Sequence, residues 1–394
     1  MRLLLVNALY PPRLVGGAER SVALLAEALA RDGVEVHVAT LTEGRCGSSA
    51  VERGVTVHRL PIDLPYWPWS GSSHRPLARL GWHAANRWNE AAAKRLGALV
   101  ERIAPDVVHG HVLTGIGAAM WPEVKRRGVP LAQTLRDYAL ICPRAALFRR
   151  GRPCASRCLD CRALTGPTRG ASRLVDAVAG NSDFTLEVHR RAGRFDGVAG
   201  RRLFNVVPGP AEQRGGGGSR ALRFGVIGRV VPEKGIEVVL AALPLIGREA
   251  WRLRIGGRGS GPYVQRCKAR ADERVEWLGE TAAGDFYRSI DVLIVPSLWP
   301  EPLPRTLVEA AAHGCSVIAA RSGGIAEVID VAHQGVLYRA DDPDALAAAM
   351  RDAIDRADDW RARAARSAAL EPFSEAAVVA AHHDFYEVAR RAAR

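Results

Sequence analysis

SLWPEPLPRTLVEA (Ser297–Ala310) places two glutamates, Glu301 and Glu309, eight positions apart. The run just before it, DVLIVPS (Asp291–Ser297), is apolar, rich in β-branched residues and of strand length. The Ala- and Leu-rich residues after Pro304 read as a helix, and proline suits a first helical turn. Glu301 is therefore expected in a strand-to-helix loop and Glu309 on the helix that follows. A helix start attracts anions, because its unpaired backbone N–H groups and its dipole both face the ligand. Carboxylates beside such a start can accept hydrogen bonds from vicinal hydroxyls. Together these groups suit a molecule that carries both phosphate and sugar.

Working toward the N-terminus, GRVVPEKG (Gly228–Gly235) follows the strand pattern RFGVI. Glycine lets backbone approach a ligand closely, and Arg229 and Lys234 supply two cations for a pyrophosphate. It is not a Walker A loop, since no glycine directly precedes Lys234 and Gly235 stands where Ser or Thr would hold magnesium. GGRGSG (Gly256–Gly261) follows the strand WRLRI but lacks the spacing of the dinucleotide fingerprint, so it reads as a structural turn. The opening MRLLLVNAL, the loop YPPRLVGGAE, a helical face of Val22, Leu25, Ala26 and Leu29, and the strand VEVHVATL form a βαβ unit. A similar unit starts near Leu222, which predicts two Rossmann-like domains. The tract Gly215–Ser219, GGGGS, marks the boundary.

The spaced glutamates, with Arg229 and Lys234 upstream, resemble the family 4 glycosyltransferases, retaining enzymes of the GT-B fold. The resemblance covers nearly the whole chain and is closest in its second half. It implies an α/β protein with two Rossmann-like domains facing each other across a cleft. Residues 1–214 would bind the acceptor, residues 220–372 the nucleotide sugar, and the helix over 373–394 would cross back to the first domain. It assigns the donor diphosphate to Arg229 and Lys234, the donor-sugar hydroxyls to Glu301 and the ribose to Glu309. Gly228, Leu303, Arg305 and Thr306 join the donor site, and WLGE (Trp277–Glu280) would bring Glu280 near the base. Gly16 and Gly17 correspond to the family's glycine loop at the donor phosphate. In VVHGHVLTG (Val107–Gly115), His111 is the acceptor-side candidate, ahead of His109 because it lies nearer the strand end. TLRDYALICP (Thr134–Pro143) resembles a segment that usually reads His-Asp-Tyr. Here Arg136 replaces the histidine, and Asp137 remains a donor-side candidate.

The implied reaction moves a hexose from a UDP- or GDP-type donor to a saccharide or lipid-linked saccharide, in polysaccharide or glycoconjugate biosynthesis. Two other readings fit the same motifs: a GT-B nucleotide-sugar epimerase or hydrolase, and a non-catalytic nucleotide-sugar-binding protein. No Asp-X-Asp metal motif accompanies these segments, so no cofactor is expected for catalysis.

The 394 residues suit two domains, and 48% apolar with 25% charged content is ordinary for a globular protein. No run of 18 apolar residues and no signal-peptide pattern occurs, so a cytoplasmic protein is expected. The net charge of +13 is uneven. Residues 1–200 carry 28 Lys and Arg against 17 Asp and Glu, and the remainder 27 against 25. Eight arginines and one acid, Asp160, lie between Arg144 and Arg173. Such a basic half suits an anionic acceptor or peripheral contact with an anionic inner-membrane face, and no nucleic-acid motif accompanies it. Cys142, Cys154, Cys158 and Cys161 have spacings that a structural zinc could use, the alternative being free thiols. Tyr66, Trp67, Trp69, Trp82 and Trp88 form either an acceptor platform, a membrane-interface loop or a loop packed on the core.

Overall fold

The computed structural model describes residues 1–70, 74–207, 221–247, 250–332, 335–363 and 367–394. The expected GGGGS boundary lies outside the described residues. Two compact units emerge. The first comprises Met1–Leu147, Ala155–Val206 and Glu375–Arg394, and the second Phe148–Cys154 and Val207–Ser374. Among the described residues the first unit's middle segment ends at Val206. The Val207 N–H is already committed to the second unit, donating to the Phe373 carbonyl at 3.1 Å.

In chain order the strands are β1 (Arg2–Val6), β2 (Glu35–Thr42), β3 (Ser48–Glu52), β4 (Val55–Pro61), β5 (Val107–Gly110), β6 (Leu131–Leu135), β7 (Phe148–Arg149), β8 (Arg152–Pro153), β9 (Ala177–Gly180) and β10 (Ala199–Arg202). All but β7 and β8, which form a small hairpin, build the first unit's sheet in the order β10-β9-β6-β5-β1-β2-β4-β3. Pairing is parallel except for β3 on β4. The second unit holds β11 (Leu222–Ile227), β12 (Trp251–Gly256), β13 (Val275–Gly279), β14 (Val292–Val295), β15 (Ser316–Ala320) and β16 (Gly335–Tyr338). These form one parallel sheet, β13-β12-β11-β14-β15-β16. Strands covered on both faces need continuous apolar runs, and VLIV of β14 and SVIAA of β15 are buried throughout.

Both sheets reverse strand order once. The reversal falls between β1 and β5 in the first unit and between β11 and β14 in the second. In open α/β sheets the loops leaving the carboxyl ends of two such strands diverge to opposite faces and leave a ligand crevice. The glycine loop follows β1, His111 follows β5, GRVVPEKG follows β11, and the stretch Ser297–Ala310 follows β14.

The helix Glu375–Ala392 belongs to the first unit. Val378, Val379, Phe385, Tyr386 and Ala389 share one apolar cluster with Leu3, Leu5, Val22, Leu25 and Leu29. The Tyr386 hydroxyl meets His109 Nδ1 at 3.1 Å, and the other ring nitrogen meets Thr134 Oγ1 at 2.7 Å. Arg31 reaches Glu375 through both carboxylate oxygens, at 2.9 and 2.6 Å, on the exposed side. Burial therefore anchors the helix, and the ion pair adds little. We expect Phe385→Ala to cost about 3–5 kcal/mol in denaturant titrations. Arg31→Ala should cost under about 1 kcal/mol in the same measurement.

Candidate functional site

The second unit's candidate site is built at the β11/β14 reversal. Gly228 leaves β11 with its N–H on the Gly256 carbonyl (3.0 Å), and Val230 donates to Arg258 (2.8 Å). These bonds fix the loop that carries Arg229 and Lys234. Gly235 then turns the chain at φ +71°, and a Cβ there would stand 1.9 Å from the Pro296 carbonyl oxygen. Only glycine lets the Lys234 loop close on the segment after β14. On that segment Glu301 is buried, and its backbone presses on Gly323 (φ +61°), whose Cβ would lie 2.2 Å from the Glu301 carbonyl oxygen.

Lys234 Nζ donates to Glu301 Oε1 in a short contact, and Ser297 Oγ donates to the same oxygen at 2.6 Å. The ammonium also lies 5.5 Å from the Trp299 ring centroid, within cation–π range. Arg229 stays half-exposed, with Glu233 at 3.8 Å. Gly228, Arg229, Lys234, Ser297 and Thr306 line a small hollow of about 20 Å³. The helix Arg305–Ala312 starts beside it, with Pro304 as N-cap and no side chain capping its N–H groups. Proline thus precedes the first turn and does not occupy it. Two cations and a helix start on one hollow can hold an oxyanion pair.

Other candidates stand apart from this hollow. Glu309 accepts from the Tyr287 hydroxyl at 3.0 Å and from Arg305 Nη2 at 2.7 Å, and Arg305 is itself buried. Arg305 thus serves to orient Glu309. Leu303 is buried. Glu280 is exposed and pairs with Arg258 at 2.5 Å, and that guanidinium lowers its carboxyl pKa.

In the first unit Gly16 caps the helix Gly17–Arg31, and its N–H donates to Glu19 Oε2 at 2.9 Å. Gly16 has extended backbone at φ −146°, and a Cβ there would meet Glu19 Oε2 only at 3.7 Å. Neither conformation nor local packing demands glycine at this exposed position. Arg13 of the same loop lies over Trp67 at 5.1 Å. The aromatic segment is folded onto the core: Trp67 and Trp82 are buried, and Trp82 Nε1 donates to the Tyr66 carbonyl at 3.1 Å.

Asp137 follows β6. Burial, with a smaller contribution from Glu19, pushes its carboxyl up to about 6, against the opposing Ala139 N–H at 2.9 Å. His111 is buried, with Nδ1 accepting from Arg136 Nε at 3.1 Å and its carbonyl accepting from Gln133 at 2.7 Å. Burial first, then His109 and Arg136, drive its pKa well below the imidazole range, so it is neutral. Arg136, standing where the family has histidine, also donates to Asn205 Oδ1. It braces His111 from below the surface.

The zinc expectation is not supported. Among the described residues no group of three or more His, Cys, Asp or Glu side chains could hold one metal ion. Cys158 and Cys161 sulfurs lie 3.5 Å apart, and burial with nearby Cys142 pushes the Cys161 thiol up to about 12. Nor is any helix among the described residues long and apolar enough to cross a membrane.

Sequence reasoning missed Ser297, Trp299, Tyr287 and Glu19. Ser297 could have been found, four residues before Glu301 in the same stretch. The others are joined to their partners only by folding.

Asp137 yields a pH signature. Its folded-state value near 6 exceeds the ordinary 3.8, so the folded protein binds the proton more tightly than the unfolded chain. Stability from this group is then lost as pH rises from about 4 to 6. Asp137→Asn should stabilise the protein by on the order of 1–2 kcal/mol at pH 7 and not at all at pH 4, read by urea titration at each pH.

Two family profiles match the chain: the glycosyl transferase 4-like domain over residues 16–196, and glycosyl transferases group 1 over residues 221–356. An uncharacterized 42.6 kDa protein in the cps region of Klebsiella pneumoniae is 30% identical, across 83% of this chain and 87% of that one. D-inositol 3-phosphate glycosyltransferase 2 of Catenulispora acidiphila is 30% identical, across 71% and 70%. Among solved structures, Anabaena Alr3699/HepE in complex with UDP and glucose superposes with a TM-score of 0.71 at 18% identity, covering 98% of each chain. Sucrose-phosphate synthase from Thermosynechococcus elongatus gives 0.73 at 17%, again over 98% of each. With its two parallel-sheet units, this chain has the GT-B fold and belongs to the group 1, or family 4, glycosyltransferases.

Proposed function

We propose that the protein transfers a hexose from a nucleoside-diphosphate sugar to a saccharide or lipid-linked saccharide, with retention at the anomeric carbon. The observation that carries this reading is the Lys234–Glu301 pair beside the uncapped start of the helix Arg305–Ala312. Arg229, Lys234 and the helix N–H groups would neutralise the departing diphosphate, which is where negative charge develops. Glu301, gripped by Ser297, would hold donor-sugar hydroxyls, and Glu309, fixed by Tyr287 and Arg305, the ribose. Gly228, Leu303 and Thr306 would complete the second unit's donor side with Glu280 toward the base, and Gly16, Gly17 and Asp137 stay the first unit's donor-binding candidates. His111 acts on the acceptor side as a neutral, braced imidazole.

A UDP-type donor is favoured because the neighbouring Anabaena fold was crystallised with UDP and with UDP-glucose. The acceptor's anionic character is read from the basic first half of the chain. That charge also suits peripheral contact with an anionic membrane face, with the protein in the cytoplasm.

Lys234→Ala alone would strand a buried carboxylate, so the charge-free pair Lys234→Met/Glu301→Gln is the cleaner test. We expect turnover of UDP-sugar to fall by on the order of a hundredfold or more in this pair, with the thermal midpoint nearly kept. Stabilisation of the wild type by UDP or GDP in thermal shift should vanish with it. Wild-type turnover in the double variant would sink the assignment.

A further inference from the structure

A second basic site lies in the first unit, away from the loops described above. A cavity of about 440 Å³ is lined by Arg169, Arg173, Arg190, Arg194, Phe195 and Asp196, with Gly193, Gly197 and Val198 completing the wall. Arg169 and Arg173 precede β9, and residues 190–198 precede β10. The cavity therefore sits at the amino ends of these parallel strands. The glycine loop and Asp137 leave the carboxyl ends of β1 and β6, the opposite edge of the same sheet.

Its charges are poorly compensated. Arg194 is 2% exposed, yet its hydrogen bonds go only to neutral groups. Nε donates to Thr168 Oγ1 (2.8 Å), Nη1 to the Ala192 carbonyl (2.9 Å), and Nη2 to the Thr165 carbonyl (2.5 Å) and hydroxyl (3.2 Å). Burying a guanidinium without a carboxylate is costly unless an anion arrives. Burial, then Arg157 and Arg169, push this guanidinium down to about 10. Arg190 is fixed by donating to the Val198 carbonyl at 3.1 Å. Gly193, at φ +72°, lies under Arg169, whose Nε would be 3.0 Å from a Cβ there. The lone carboxylate, Asp196, is taken by Arg173 at 2.7 Å. The carbonyls ending the helix Asp183–Arg191 offset part of the positive field, which leaves Arg169, Arg190 and Arg194 facing the cavity without a carboxylate.

We propose that this cavity binds a phosphoryl group carried on a larger molecule, at a site separate from the donor diphosphate. Converging guanidinium forks match phosphate geometry better than they match a single carboxylate. The volume exceeds what inorganic phosphate fills, so room remains for the group that bears it. The phosphate belongs either to a soluble ester or to a lipid headgroup, and both present the same chemistry to the arginines. The proposal does not depend on the donor-site reading.

The test uses the full chain carrying Arg229→Gln and Lys234→Met/Glu301→Gln, which removes the side-chain cations of the donor hollow. Calorimetric titration with pyrophosphate and with inorganic phosphate should still show binding in this background. Adding Arg169→Gln and Arg190→Gln, both exposed, should weaken it about tenfold or more, the usual effect of losing charge-assisted hydrogen bonds. Arg169→Lys/Arg190→Lys should recover part of the affinity, which a merely folding-related loss would not. Sedimentation with phosphatidylcholine vesicles containing phosphatidic acid separates the sources. Arginine-dependent co-sedimentation identifies a headgroup, and binding of phosphate without co-sedimentation identifies a soluble ester. No phosphate binding in the starting background, or binding indifferent to Arg169 and Arg190, overturns the proposal.

Discussion

The contact between Lys234 and Glu301 is the constraint around which the second unit's functional edge is arranged. It ties the loop leaving β11 to the loop leaving β14, the two strands between which the sheet reverses. Neither partner could hold its place alone. Glu301 is buried and needs a cation, and Lys234 sits on a turn that only a glycine at 235 allows. Ser297, Trp299 and Gly323 then serve this pair from three directions. The loop that carries Lys234 is thereby braced against the segment after β14.

The first unit solves a related problem with neutral groups. His109 bridges Tyr386 and Thr134, His111 takes a hydrogen bond from Arg136, and burial holds both rings uncharged. Asp137 is pushed the other way, toward keeping its proton. The two units thus place opposite electrostatic characters at the ends of their central strands: paired charges in one, suppressed charges in the other.

How much of this was legible depended on sequence distance. Glu301, Ser297 and Glu309 fall within one strand–loop–helix segment, so their relation could be read from local pattern. GRVVPEKG was equally readable, because glycine and two cations in a loop leaving a strand suit close approach to a phosphate. The Rossmann repeats followed from apolar runs that alternate with amphipathic helices. What could not be read was pairing across the fold: Tyr287 on Glu309, Arg136 on His111, Glu19 beside Asp137. The cysteine spacing brought Cys158 and Cys161 together without forming a metal-holding group among the described residues.

The helix Glu375–Ala392 supplies Phe385 and Tyr386 to the first unit's core, though it follows the whole second unit in the chain. During synthesis the first unit therefore lacks one wall until the second unit has been translated. Its exposed apolar face, centred on Leu3, Val22 and Leu29, must wait for residues made much later. The core of the first unit is thus closed by the last residues of the chain to be made, although its first strands are the earliest.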